Sequence, residues 1–205
     1  VLKALYFTDG RQLKLLIDKA LYAQSVAAME RRGLPESLTN KMKPWGVFTI
    51  LNMPEQKTGL FLDAILYKSA KTQKKIIVGL ETAEEQTAVF DEMPISSQVA
   101  LLKSTLDHLP NMNQLLDEII DVYLRRDLHG IVALNEEYET LFDEQLADEF
   151  TRRLVIDRNY RMTERMLPLL KKGNSFIAVG ALHLAGEEGI LNLLTQYDYE
   201  VRAVY

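Results

Sequence analysis

The chain has 205 residues, of which 47% are hydrophobic, 26% charged and 8% aromatic, with 24 Lys and Arg against 29 Asp and Glu for a formal charge of −5. Those fractions exclude disorder for the bulk, and a chain of this length buries roughly 70% of the surface its unfolded form exposes, enough for a core without disulfide or metal staples. The absence of cysteine excludes disulfides, thiolate metal sites and a cysteine nucleophile; no run of 18 apolar residues spans a bilayer; and a mildly acidic total argues against a nucleic-acid partner.

Charge is uneven along the chain: +7 over residues 1–75, −14 over 76–150 and +2 over 151–205. The acidic middle reads as solvated helix faces. No long linker, repeat or low-complexity tract divides the chain, so a single domain over 1–205 is expected. Val1 is preceded by no initiator Met and no basic-then-apolar leader, which leaves a processed protein and a fragment both open.

In chain order, Leu13, Leu16, Ile17, Ala20 and Leu21 form a helical stripe closed by Gly33-Leu34-Pro35. Pro44 to Met53 is apolar and reads as a short helix or a strand, with the helix favoured. Leu62, Ile65, Leu66 and Ser69 mark another helix ending near Lys71, and Leu115, Ile119 and Val122 mark a third. A long helical pattern follows from about Tyr138 to Leu170. Three stretches are β-branched or alternating instead: Lys74 to Glu81, Ser175 to Gly180 and Tyr199 to Val204. With a helix from Glu187 to Tyr197 between the last two, they predict a βαβ unit with a right-handed crossover. The expected fold is therefore α/β and helix-rich, a small mostly parallel sheet of about three strands under many covering helices. Three strands make a poor parallel sheet, so further strands are expected upstream of Val1.

Ligands of open parallel sheets collect beyond the carboxyl ends of the strands. Two such places stand out. At the first, Thr82 and Glu85 have capping-box spacing, which starts a helix at Thr82 and leaves Glu81 at the strand end; Glu81 is then either a solvated acid or a carboxylate facing the crevice. At the second, Gly180 lets the backbone turn or approach closely, and His183 lies in the strand-to-helix loop, as a structural histidine or as a ligand. A carboxylate and an imidazole converging on one crevice suit a divalent metal or general acid–base work. On the helical stripe Phe150, Leu154, Met162 and Met166, the intervening position is Arg158, which either snorkels to water or points inward at a carboxylate or anion, with Asn159 sharing its pocket. His108 and His129 read as helix C-terminal residues and Trp45 as core.

Ile76 to Gln86, the Arg158-Asn159 pair with Met162, and above all Asn174 to Ile190, with Gly180, His183, Gly186, Glu187, Glu188 and Gly189 in order, resemble the TraB/GumN family, which includes the Tiki metalloproteases. Leu60 to Ala70, with Asp63, resembles the segment before the family's Glu motif. The resemblance runs over nearly the whole chain. It implies an erythromycin-esterase/ChaN-like α/β fold and, for the Tiki branch, cleavage of peptide bonds with a divalent metal such as Mn²⁺ or Co²⁺. The family hallmark is two G-x-x-H motifs; Gly180 and His183 match the second, while the N-terminal strand carrying the first is not in this sequence, so the domain is expected to be incomplete at its N-terminus and its turnover as supplied is open.

The resulting expectation is a metal-dependent hydrolase of amide, ester or peptide bonds. His183 would be a metal ligand or base, Glu81 a second ligand or general base, Arg158 the group that steadies the carboxylates or the oxyanion, and Gly180 and Asn159 supporting residues. The alternative expectation is a non-catalytic scaffold or ligand-binding domain of the same fold, holding a tetrapyrrole such as haem near Tyr160, Met162 and Met166. Unfilled sheet edges would allow a homo-oligomer, and the resemblance implies an extracytoplasmic location.

Overall fold

The computed structural model describes residues 2–54, 59 and 61–204; Val1 and Leu60, on which readings above fall, lie outside them. The α-helices in chain order are α1 (Lys19–Arg31), α2 (Glu36–Thr39), α3 (Pro44–Asn52), α4 (Leu62–Thr72), α5 (Ala83–Asp91), α6 (Ile95–His108), α7 (Met112–Leu124), α8 (Leu128–Glu139), α9 (Glu144–Thr151), α10 (Asp157–Leu170) and α11 (Ile190–Thr195). Contacts sort them into two compact units. Unit 1 comprises Val1–Pro54, Ala83–Glu118 and Glu139–Ala147, and unit 2 comprises Glu55–Thr82, Ile119–Tyr138 and Asp148–Tyr205.

In unit 1 the first stripe is two elements. Leu13–Leu15 is a 3₁₀ turn, and α1 begins only after Asp18, whose carboxylate accepts from the N–H groups of Ala20 and Leu21 at 2.8 and 2.9 Å. The end of α1 is as the sequence signals. Gly33 takes φ +79°, and the Gly33 and Leu34 N–H groups donate to the Glu30 and Met29 carbonyls, the paired bonds of a Schellman cap. Around α1, α3 and α6 the core gathers Leu5, Leu13, Met29, Met42, Trp45, Leu51 and Leu102. Trp45 stacks on Phe90 with centroids 5.4 Å apart, and its indole N–H donates to Asp91 Oδ1 at 2.8 Å. His108 closes α6, its Nδ1 2.8 Å from the Ser104 carbonyl.

The long pattern after Tyr138, which runs from unit 1 (Glu139–Ala147) into unit 2 (from Asp148), is interrupted. Helix α8 stops at Glu139, α9 restarts at Glu144, and a π-helical turn over Arg152–Ile156 leads into α10. Met162 and Met166 of α10 pack with Ile190 of α11, and Leu80, Ile177, Val179 and Leu194 close over them. His129 stands in the first turn of α8, not at a helix C-terminus as its Gly neighbour suggested.

The expected parallel sheet is corrected by the structure. Among the described residues there is no strand, and the one recorded bridge is the isolated antiparallel pair Tyr6–Met42 in unit 1. The three stretches read as strands carry no ladder and no regular secondary structure. Each follows a helix end through a non-glycine residue at positive φ: Lys74 (55°), Asn174 (54°) and Asp198 (64°). The second keeps the alternation of a half-buried strand, with Ile177 and Val179 on the core, Phe176 80% exposed and Ala178 exposed. In the first, Ile76 is 94% exposed. The cause is general: period-2 patterning and β-branching favour extended backbone and one packed face, while a strand also needs a hydrogen-bonding neighbour that local sequence does not specify. Among the described residues there is no sheet edge, so the expected homo-oligomer through sheet edges finds no support there.

Candidate active site

The residues singled out at the two loop positions meet in unit 2. Helix α10 is the element that organises them, because successive side chains leave it about 100° apart and so reach different segments. From its first turn Arg158 extends to Glu81: Nε lies 3.1 and 3.0 Å from the two carboxylate oxygens and Nη2 donates to Oε2 at 2.8 Å, while Nη1 donates to the Leu154 carbonyl at 3.0 Å. Arg161 adds a weaker contact, Nη2 to Glu81 Oε1 at 3.3 Å, and Arg165 donates to the Leu80 carbonyl at 2.8 Å. Glu81 is the buried member, with a side chain 3% exposed against 17% for Arg158 and 33% for Arg161.

Two guanidinium groups thus face one carboxylate in a largely dry place, where charge-assisted bonds are strong and an unpaired charge is costly. The Arg161 Nε is buried and has no partner among the described residues. Sequence reasoning found Arg158 by its place on an apolar stripe. It missed Arg161 and Arg165, although positions 158, 161 and 165 have the i, i+3, i+7 spacing of one helix face and could have been read together.

His183 sits in the 3₁₀ turn Ala181–His183 that follows residues 174–180. Its Nδ1 is 2.7 Å from Asn159 Oδ1, and Nε2 has no hydrogen-bond partner among the described residues. Burial, with the Arg158 charge added and Glu81 opposing, pushes the imidazole down to about 4, so it is neutral at pH 7. Asn159 is buried, and its Nδ2 donates to the Glu188 carbonyl at 2.8 Å. Glu187 and Glu188, expected inside a helix, lie in the turn before α11.

The glycines of this block have unequal roles. Gly180 has φ −60° and ψ 142°, ordinary for any residue, and a Cβ there would stand 3.5 Å from His183 Cδ2. Gly186 needs its φ of +90°, and Gly189 leaves no room for a Cβ, which would meet the Leu184 carbonyl oxygen at 2.6 Å. The same turn borders an open cleft of about 450 Å³ shared with His129, Val132, Glu136 and Asn192. Met162 and Met166 are core residues of unit 2, and Tyr160 is exposed.

Comparison with known proteins gives this geometry a context. Residues 1–203 match the model of the TraB/PrgY/gumN family, and the chain belongs to that family. It is 29% identical over 172 residues to the uncharacterised protein YbaP of Escherichia coli K12, covering 80% of this chain and 61% of YbaP. It is 26% identical over 162 residues to the metalloprotease TIKI1 of Danio rerio, covering 68% of this chain and 33% of that protein. The metalloprotease TIKI homologue of Nematostella vectensis gives 25% over 166 residues, with 70% and 35% covered. The chain thus spans less than two thirds of these relatives. No solved structure matches.

The relatives' names imply a metal, and the donors present can be tested for one. Among the described residues no group of three or more His, Asp or Glu side chains stands close enough to hold an ion. Glu81 has both oxygens committed to guanidinium groups, which leaves the His183 Nε2 lone pair as the free donor of the cluster. One imidazole is not a metal centre, so the described residues do not fit the ion by themselves. Among them, likewise, no helix is long and apolar enough to cross a membrane.

Proposed function

We propose that the chain is the hydrolytic part of a protein that cleaves peptide or amide bonds, with His183 as its catalytic residue. One observation carries the proposal: a neutral imidazole with an unengaged Nε2 stands beside a buried carboxylate over-matched by two guanidinium groups. An apolar cluster of the same volume would stabilise unit 2 as well without those charges, and perturbed ionisable groups gather where chemistry is done. The metalloprotease names of two relatives point to the same class of reaction.

The roles follow from the bonding. Glu81 is assigned to positioning, because a carboxylate that accepts from two arginines is poorly placed to act as ligand or base; it fixes the Arg158 guanidinium, whose partner Arg161 supplies positive charge beyond what one acid neutralises. That excess favours the oxyanion developing on a carbonyl under attack. The His183 Nε2 accepts from the attacking water. With its titration lowered to about 4 it is a weak base but an always available lone pair at neutral pH.

The test is hydrolysis of fluorogenic peptides by the chain and by its His183→Ala and Arg161→Gln forms. His183→Ala is expected to lose at least about 100-fold in kcat/KM, and wild-type activity that survives His183→Ala unchanged would remove the assignment.

A further inference from the structure

The hydrogen bonds around Asn159 determine more than its own orientation. The Glu188 carbonyl oxygen 2.8 Å from Nδ2 can only accept, so the amide must present its NH₂ there and its oxygen to His183. That oxygen is 2.7 Å from His183 Nδ1 and is itself an acceptor, so the proton between them resides on Nδ1. A neutral imidazole has one N–H, which leaves Nε2 as the bare nitrogen. Free histidine prefers the opposite tautomer, with the proton on Nε2, so this arrangement is imposed by the fold.

We propose that Asn159 is a positioning residue that holds His183 as its Nδ1–H tautomer and so leaves Nε2 bare, and that it is itself held by the backbone of the Gly186–Gly189 turn. The chain of contacts is continuous. The Gly189 N–H donates to the Gly186 carbonyl at 3.1 Å, closing the turn; the space a Cβ would need at Gly189 is filled by the backbone of Leu184 and Ala185; and the turn so fixed presents the Glu188 carbonyl to the buried amide. An amide suits this task better than a carboxylate, because it can donate to the turn and accept from the ring at once. The kinetic part of the proposal rests on the reading of His183 as catalytic; the tautomer does not.

The experiment is long-range ¹H–¹⁵N correlation at pH 7 on the whole chain labelled in its three histidines, with His183→Gln identifying the signal. The expected wild-type pattern is a protonated Nδ1 and a bare Nε2. Asn159→Leu is expected to transfer the population to the Nε2–H form and to lower kcat about 10–100-fold, as loss of groups that orient a functional histidine does, with KM within about twofold. Asn159→Asp, which keeps an acceptor facing Nδ1, is expected to retain the Nδ1–H form even if the Leu variant fails to fold. A wild-type ring protonated on Nε2, or a folded Asn159→Leu with the pattern unchanged, overturns the proposal. Wild-type protein that shows the Nδ1–H pattern yet cleaves no peptide would refute the hydrolase reading and leave the positioning role supported.

Discussion

Replacing Glu81 by Gln probes the energetics of the cluster most directly. The substitution keeps the volume and one acceptor oxygen and removes the charge that Arg158 and Arg161 share. Removing one partner of a buried ion pair costs about 3–5 kcal/mol, because the stranded charge stays desolvated. Here two facts reduce that figure: Arg158 and Arg161 are 17% and 33% exposed, so both can draw water, and the remaining amide oxygen can still accept from Arg158 Nη2. The expected loss is therefore about 2–3 kcal/mol, or a urea midpoint lower by about 1 M for a slope of 2–3 kcal/mol per M. Glu81→Leu, which leaves no acceptor, should lose more. The lone Trp45 lies in unit 1, so far-UV circular dichroism rather than fluorescence is the appropriate probe. A double-mutant cycle with Arg158→Met should return a coupling of about 1–3 kcal/mol. A Glu81→Gln protein within 0.5 kcal/mol of wild type, with an unchanged slope, would refute the picture of a dry, mutually dependent pair.

Two further outcomes are expected. The His183 imidazole titrates at about 4 in the folded chain against 6.5 in its absence, so between those values the unfolded state binds a proton that the folded state resists; stability must fall as pH drops from about 6.5 to about 4, and this group contributes no slope above that window. Solvent screening of the part-exposed ring limits the effect to on the order of 1–2 kcal/mol, read as the difference between wild-type and His183→Gln unfolding free energies across pH 4–7; parallel curves would contradict it. The glycines separate the two kinds of role: Gly189→Ala, whose Cβ meets the Leu184 carbonyl oxygen at 2.6 Å, should cost about 1–3 kcal/mol in urea unfolding, whereas Gly180→Ala, with 3.5 Å of room and φ −60°, should fall within about 0.5 kcal/mol of wild type.

How much of the fold is legible depends on the range of the interaction that decides each element. Helices α4 and α7 follow from their apolar spacing and the end of α1 from Gly33, since caps and stripes are written within a turn or two of sequence, whereas the continuous apolar run of α3 fitted a helix or a strand until the fold decided it. The start of α1 was misplaced because Leu13 and Leu16 fit the stripe while Asp18, a capping residue inside it, was passed over. The sheet failed for the opposite reason. Ile76 to Val78 and Phe176 to Val179 carry every local mark of a strand, but pairing is a property of two segments and was inferred from one.

The site depended on a subtler periodicity. Phe150, Leu154, Arg158, Met162 and Met166 recur at intervals of four, whereas an α-helix of 3.6 residues per turn drifts by about 40° for each such step. A strict α-helix would carry the stripe well off one face by its end. The π-helical turn over Arg152–Ile156 holds more residues per turn and rotates in the other sense relative to that repeat, so it offsets part of the drift just before Arg158. That local widening delivers Arg158 to Glu81, 77 residues earlier in the chain, while the next residue, Asn159, turns to His183, 24 residues later. An Arg at an apolar position announced that a partner existed. Nothing in the sequence announced that its neighbour would answer to a different loop, because that follows from the register of one helix against two segments that only the folded chain brings together.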